Sequence, residues 1–96
     1  MSLNYLKQLN SFHKLAREKN LSPADRGLYL AILDFNNSLG WQEQFGTTDR
    51  NLMSLAGFKS CDSFYKSKKK LIELELVSVE PSARRGRASF WKVSVL

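Results

Sequence analysis

The chain has a single cysteine, Cys61, and a single histidine, His13, among 96 residues. One cysteine excludes an internal disulfide and any zinc site built from this chain's thiols alone. One histidine excludes a histidine-rich metal centre. Proline occurs only twice and glycine five times, so no flexible or polyproline linker divides the sequence. No repeats or low-complexity stretches interrupt it, and the length suits one domain. No apolar run approaches the ~18 residues that a membrane helix needs, and no signal peptide opens the chain. Phosphate-binding glycine loops, GxSxG and HExxH motifs are all missing, as is a close carboxylate pair. These absences point away from an enzyme and from a cofactor, and toward a small basic module.

What the sequence has in excess is positive charge, +6 overall. Residues 1–58 carry six basic and five acidic side chains, and residues 59–96 carry nine against four. The second part therefore holds +5 of the charge, in two separate clusters, Lys66-Ser-Lys-Lys-Lys70 and Arg84-Arg-Gly-Arg87. A surplus so concentrated suggests a polyanionic partner. The bland alternative is a solvated helix that serves only solubility.

Apolar spacing predicts the elements. Tyr5, Leu9, Phe12 and Ala16 share one face of a helix over 4–20, which Asn20 can end. Ser22 as cap, Pro23 in the first turn and Asp25 beside the helix dipole mark a second helix. It runs to about 38 with Leu28, Ile32, Phe35 and Leu39 inward, and Gly40 stops it. Residues 41–46 read as a connector. Thr47 or Thr48 then caps a short helix carrying Leu52, Leu55 and Ala56, closed by Gly57. Ser60 caps a fourth helix over 61–75 that buries Phe64, Ser67, Leu71 and Leu74. Beyond it the period becomes alternating: a strand over 77–80, a loop over 81–89, and a returning strand over 91–95. The large aromatics Trp41, Phe45, Phe58, Phe64, Phe90 and Trp91 are assigned to the core rather than to a base-stacking platform.

The expected fold is thus mostly α with a small β-hairpin. A short helix, a glycine turn, a longer helix with a polar outer face and a hairpin with a basic tip make a winged helix-turn-helix with an extra N-terminal helix. A duplex major groove about 12 Å wide admits one helix with polar and basic side chains outward. Ser63, Tyr65, Lys66, Lys69 and Lys70 meet that requirement on the fourth helix, and Arg84, Arg85 and Arg87 are candidates for backbone contact from the hairpin loop. Arg50 and Lys59 are further phosphate candidates, although Arg50 could instead pair with Asp49. Tyr65 either contacts the duplex or packs on a neighbouring helix. Lys68 lies nearer the inward face, where its stem can cover apolar surface. Asp62 is most simply a dipole partner, and a cytosine acceptor is the sharper option. His13 and Cys61 read as structural and incidental. Tyr5 and Phe12, on an added helix, are candidates for an oligomer face.

The runs LSPADRGLYL at 21–30, DFNNSLGW at 34–41, LMSLAG at 52–57, DSF at 62–64 and LIELELV at 71–77 resemble the N-terminal region of phage replisome organiser proteins, relatives of the bacterial primosome component DnaD. The resemblance spans about three quarters of the chain. It implies a DNA-binding, oligomerising N-terminal domain of a longer replication-initiation protein. Its partners would be double-stranded DNA, a second copy (homodimer or higher oligomer) and, through a region beyond 96, helicase-loading proteins; its place would be the nucleoid of the bacterial host cytoplasm. One departure concerns shape: Glu75 stands where such domains commonly carry glycine, so a less sharply turned helix end is expected. A transcriptional regulator of the same architecture and a protein-interaction module of the primosome are the alternative functions.

Overall fold

The computed structural model describes residues 5–80 and 88–95. Seven elements follow in order: α1 (Tyr5–Glu18), α2 (Pro23–Ser38), β1 (Phe45–Thr47), α3 (Asp49–Ala56), α4 (Cys61–Glu73), β2 (Val77–Glu80) and β3 (Ser89–Val93). The architecture is mostly helical with a small antiparallel sheet. The expected hairpin strands β2 and β3 are joined by a third strand, β1, which takes the last two residues of the predicted connector and Thr47, a cap candidate, giving the order β1-β3-β2. Phe45 lies opposite Trp91, and Val79 meets the same tryptophan from the other side. Three residues with one glycine carry too little alternation to announce a strand; β3 supplies the partner that makes it one.

The caps explain where the helices begin. Ser22 and Asp25 form a reciprocal capping box at 3.1 Å in both directions, with Pro23 in the first turn. Thr48 Oγ1 accepts the Asn51 amide at 3.0 Å, and Ser60 Oγ accepts the Ser63 amide at 3.4 Å. Each satisfies an amide that the first helical turn leaves without a partner.

The helix ends share one device. Asn20, Gly40 and Gly57 take left-handed backbone angles, φ 53°, 78° and 83°. In each case the next residue's amide reaches back over the turn, as Phe58 N–H does to Met53 O at 2.9 Å. Glu75 does the same at φ 59°, with the Leu76 amide on Leu71 O at 3.0 Å. The blunter turn expected without glycine is therefore absent. Glu75 makes the full turn and bears the steric cost of a Cβ in that region, about 1 kcal/mol. Glu75→Gly is expected to raise stability by about 0.5 kcal/mol, since the looser unfolded chain offsets part of the relief. That corresponds to roughly 2–4 °C in Tm by circular dichroism; an unchanged or lower Tm would show the glutamate unstrained.

One core holds the layers together. Phe12 and Ala16 of α1, Leu28, Tyr29, Ile32 and Leu33 of α2, Leu52, Phe64, Leu71, Leu76, Val77 and Trp91 are all buried. Phe12 stacks on Tyr29 with ring centres 3.9 Å apart. Gln8 secures α1 to both neighbours: its Nε2 donates to the Tyr29 hydroxyl and to the Ser94 carbonyl, each at 2.7 Å. Burial pushes the Tyr29 hydroxyl up to about 12, against a smaller opposing effect of the Gln8 hydrogen bond. Leu39, expected inward, is 40% exposed at the last turn of α2, because the chain leaves the helix there. Phe90, also expected in the core, is 49% exposed. Strand alternation puts it on the opposite face from Trp91, and only one of two adjacent residues can point inward. Among the described residues, no helix is long and apolar enough to cross a membrane.

Candidate nucleic-acid interface

Helices α3 and α4 are joined by four residues, with Gly57 turning the chain and Ser60 opening the second helix. Phe58 in the turn meets Phe64 of α4 edge to face at 5.6 Å. Phe64, Ser67 and Leu71 are the buried positions of α4, and the helix packs on α2. Its outer surface is consequently set by rotation about the axis. Ser63, Tyr65, Lys66, Lys69 and Lys70 are all exposed.

They divide between two flanks. Ser63, Lys66 and Lys70 line a groove of about 320 Å³ with Ser22, Ala24 and Asp25 from the start of α2. Tyr65 looks the other way, into a cleft of about 530 Å³ with Asp49, Arg50, Met53, Ser54, Phe58 and Cys61. Lys69 stands outermost, 78% exposed at its side chain, 4.0 Å from Glu73 one turn on. Asp62 is exposed in the first turn of α4, and Lys59 is exposed in the turn before it. Arg50 is exposed and shares the Tyr65 cleft.

The run Lys68-Lys69-Lys70 is not three equivalent charges. Lys68 Nζ reaches Asp49 at the start of α3, 2.9 and 3.1 Å from its two carboxylate oxygens. It also lies 5.3 Å from the centre of the Trp91 ring and 5.9 Å from that of Tyr65. The ammonium, expected to reach water, is instead largely covered, with the side chain 18% exposed, and joins α3, α4 and β3. Asp49 is thereby taken by Lys68, not by its neighbour Arg50. Sequence spacing gave no signal for this pair, whose members are nineteen positions apart.

Of the two residues considered for an oligomer face, Tyr5 reaches the surface, 36% exposed and 5.1 Å from the Trp41 ring. Phe12 is fully buried. His13 is half-buried beside Phe12, and Cys61 is exposed as a free thiol. Arg84, Arg85 and Arg87 lie outside the described residues. Among the described residues no group of His, Cys, Asp and Glu side chains is arranged to hold a metal ion.

The arrangement offers cations and hydroxyls along the exposed side of α4, with Ser63, Lys66 and Lys70 on one flank, Tyr65 on the other and Lys69 outermost. No family model, curated protein or solved structure matches the chain.

Proposed function

We propose that this chain is a winged helix-turn-helix module that binds double-stranded DNA, serving replication initiation in the manner of phage replisome organisers. In this reading α3 and α4 are the helix-turn-helix, β2 and β3 flank the wing that carries Arg84, Arg85 and Arg87, and α1 is the added helix. The observation that carries it is the outer face of α4. Three exposed lysines, a serine and a tyrosine stand there on a helix whose inner face is buried in the core. Such a helix fits a major groove, and the lysines meet phosphate on either side. The choice of replication over transcription rests on the resemblance in sequence.

The test is fluorescence anisotropy with a random duplex and a candidate origin duplex at three salt concentrations. Four to six phosphate contacts give a slope of log affinity on log salt of about −4 to −5. Tighter binding to the origin is the expected second result. Absence of duplex binding at about 50 mM salt, or a slope shallower than about −1, would overturn the reading.

A further inference from the structure

The groove of about 320 Å³ between the start of α2 and one flank of α4 has a floor as well as walls. Ser63, Lys66, Ser67 and Lys70 stand at offsets of three, four and seven, so they form one stripe along α4 that lines it. Ser67 is the deepest of them, 2% exposed between the buried Phe64 and Leu71. A hydroxyl so buried normally has a partner, and the exceptions call for an explanation. Ser67 Oγ makes no hydrogen bond with any of the described residues. It is not sealed in the core as Trp91 Nε1 is, and keeps an opening to the groove.

The walls add further unused donors. In the first turn of α2, Pro23 has no N–H, the Asp25 amide goes to the Ser22 hydroxyl and the Arg26 amide to the Ser22 carbonyl. Ala24 is left with an unpartnered amide, at the positive end of a sixteen-residue helix. The Ser22 hydroxyl accepts from Asp25 and still has its own proton to donate. Across the groove, Lys66 and Lys70 lie within 4.0 Å of no carboxylate among the described residues, unlike Lys68 and Lys69. Asp25 is the one anionic group in the lining, and its Oδ2 accepts the Ser22 amide at 3.1 Å. Two ammonium groups against one carboxylate leave the groove at +1, the charge that one phosphodiester cancels. Hydroxyl, amide and ammonium donors converging on one space suit an anion with several oxygens.

We infer that this groove seats one phosphodiester of the duplex backbone, with the Ser67 hydroxyl and the Ala24 amide donating to its oxygens and Lys66 and Lys70 balancing its charge. The source of the phosphate rests on the duplex reading; the chemistry of the seat does not. A contact shared by α2 and α4 sets the register of α4 on the duplex, which is the role of backbone contacts.

The experiment pairs duplex anisotropy with a titration of inorganic phosphate followed by amide resonances of the isotope-labelled chain. Ser67→Ala deletes the hydroxyl alone. It should weaken duplex binding about fivefold and leave the salt slope unchanged, since no charge is lost. Its Tm should equal or exceed that of the parent, because the hydroxyl has no partner within the chain. With Lys66→Gln and Lys70→Gln already in place, the same change should cost little, because the phosphate it serves is no longer held. The Ala24 amide resonance should move saturably with phosphate and not with chloride, and less so in Ser67→Ala.

Equal duplex affinity of the parent and Ser67→Ala sinks the seat and leaves the duplex reading standing. A lower Tm in Ser67→Ala overturns the assignment of the hydroxyl to a ligand. A saturable phosphate shift in a chain that binds no duplex sinks the duplex reading alone and gives the seat to a free phosphate compound. Neither duplex binding nor a phosphate shift overturns both.

Discussion

Replacing Lys66, Lys69 and Lys70 together by glutamine is expected to lower duplex affinity by about two orders of magnitude at ~0.15 M salt. Each phosphate contact contributes about 0.9 to the salt slope, which at that salt is worth about 0.7 log units. Three contacts give about 2 log units, and the slope should fall by about 2.7. Reversal to glutamate adds repulsion and should abolish measurable binding. The fold should survive. All three side chains are exposed, and the Lys69–Glu73 pair that is lost is solvated at 4.0 Å, worth about 0.3 kcal/mol. Lys68→Gln is the informative contrast: it leaves Asp49 without its cation and should lower stability while the salt slope stays put. Anisotropy and thermal melts on the two variants separate the roles. A slope unchanged by the triple substitution would remove α4 from the interface.

Trp91→Ala should be the most destabilising single change in the sheet, at about 3–5 kcal/mol. The indole is fully buried, paired across the sheet with Phe45 and Val79, and lies under the Lys68 ammonium. Its removal opens a cavity at the point where sheet and helices meet. Against a typical total of about 5–15 kcal/mol this leaves little margin, and Tm should fall by some 12–40 °C. Trp91→Phe should cost far less, about 1 kcal/mol. It keeps a ring in the site and deletes Nε1, which is buried with no hydrogen-bond partner among the described residues, so the lost volume is partly offset. Urea or thermal unfolding of both variants checks the ordering. A Tm within a few degrees of the parent for Trp91→Ala would mean that the sheet is held to the helices by something else.

The sequence by itself determined the helices and their caps. Offsets of three, four and seven placed Phe12, Ala16, Leu28, Ile32, Phe64 and Leu71 inward, and all of them are buried. Ser22, Thr48 and Ser60 begin helices as their hydroxyls allow, and Asn20, Gly40 and Gly57 end them as their backbones allow. These are local effects, decided within one or two turns, so local spacing carries them. It also fixed the outward set on α4, because burying Phe64 and Leu71 leaves Lys66, Lys69 and Lys70 no other direction.

Only the tertiary structure decided the rest. Phe45–Thr47 becomes a strand because Ser89–Trp91 lies beside it, and a three-residue segment has no period of its own to reveal this. Glu75 accepts a left-handed turn because the start of β2 must follow α4 closely, and the Leu76 and Ser94 contacts hold it there. Phe90 and Trp91 are neighbours of similar chemistry, and their fates diverge on which face of the sheet meets the helices. Lys68 is told apart from Lys69 and Lys70 by a carboxylate nineteen positions away. In each case the deciding partner is distant along the chain, and a contact between distant residues exists only once the core has formed.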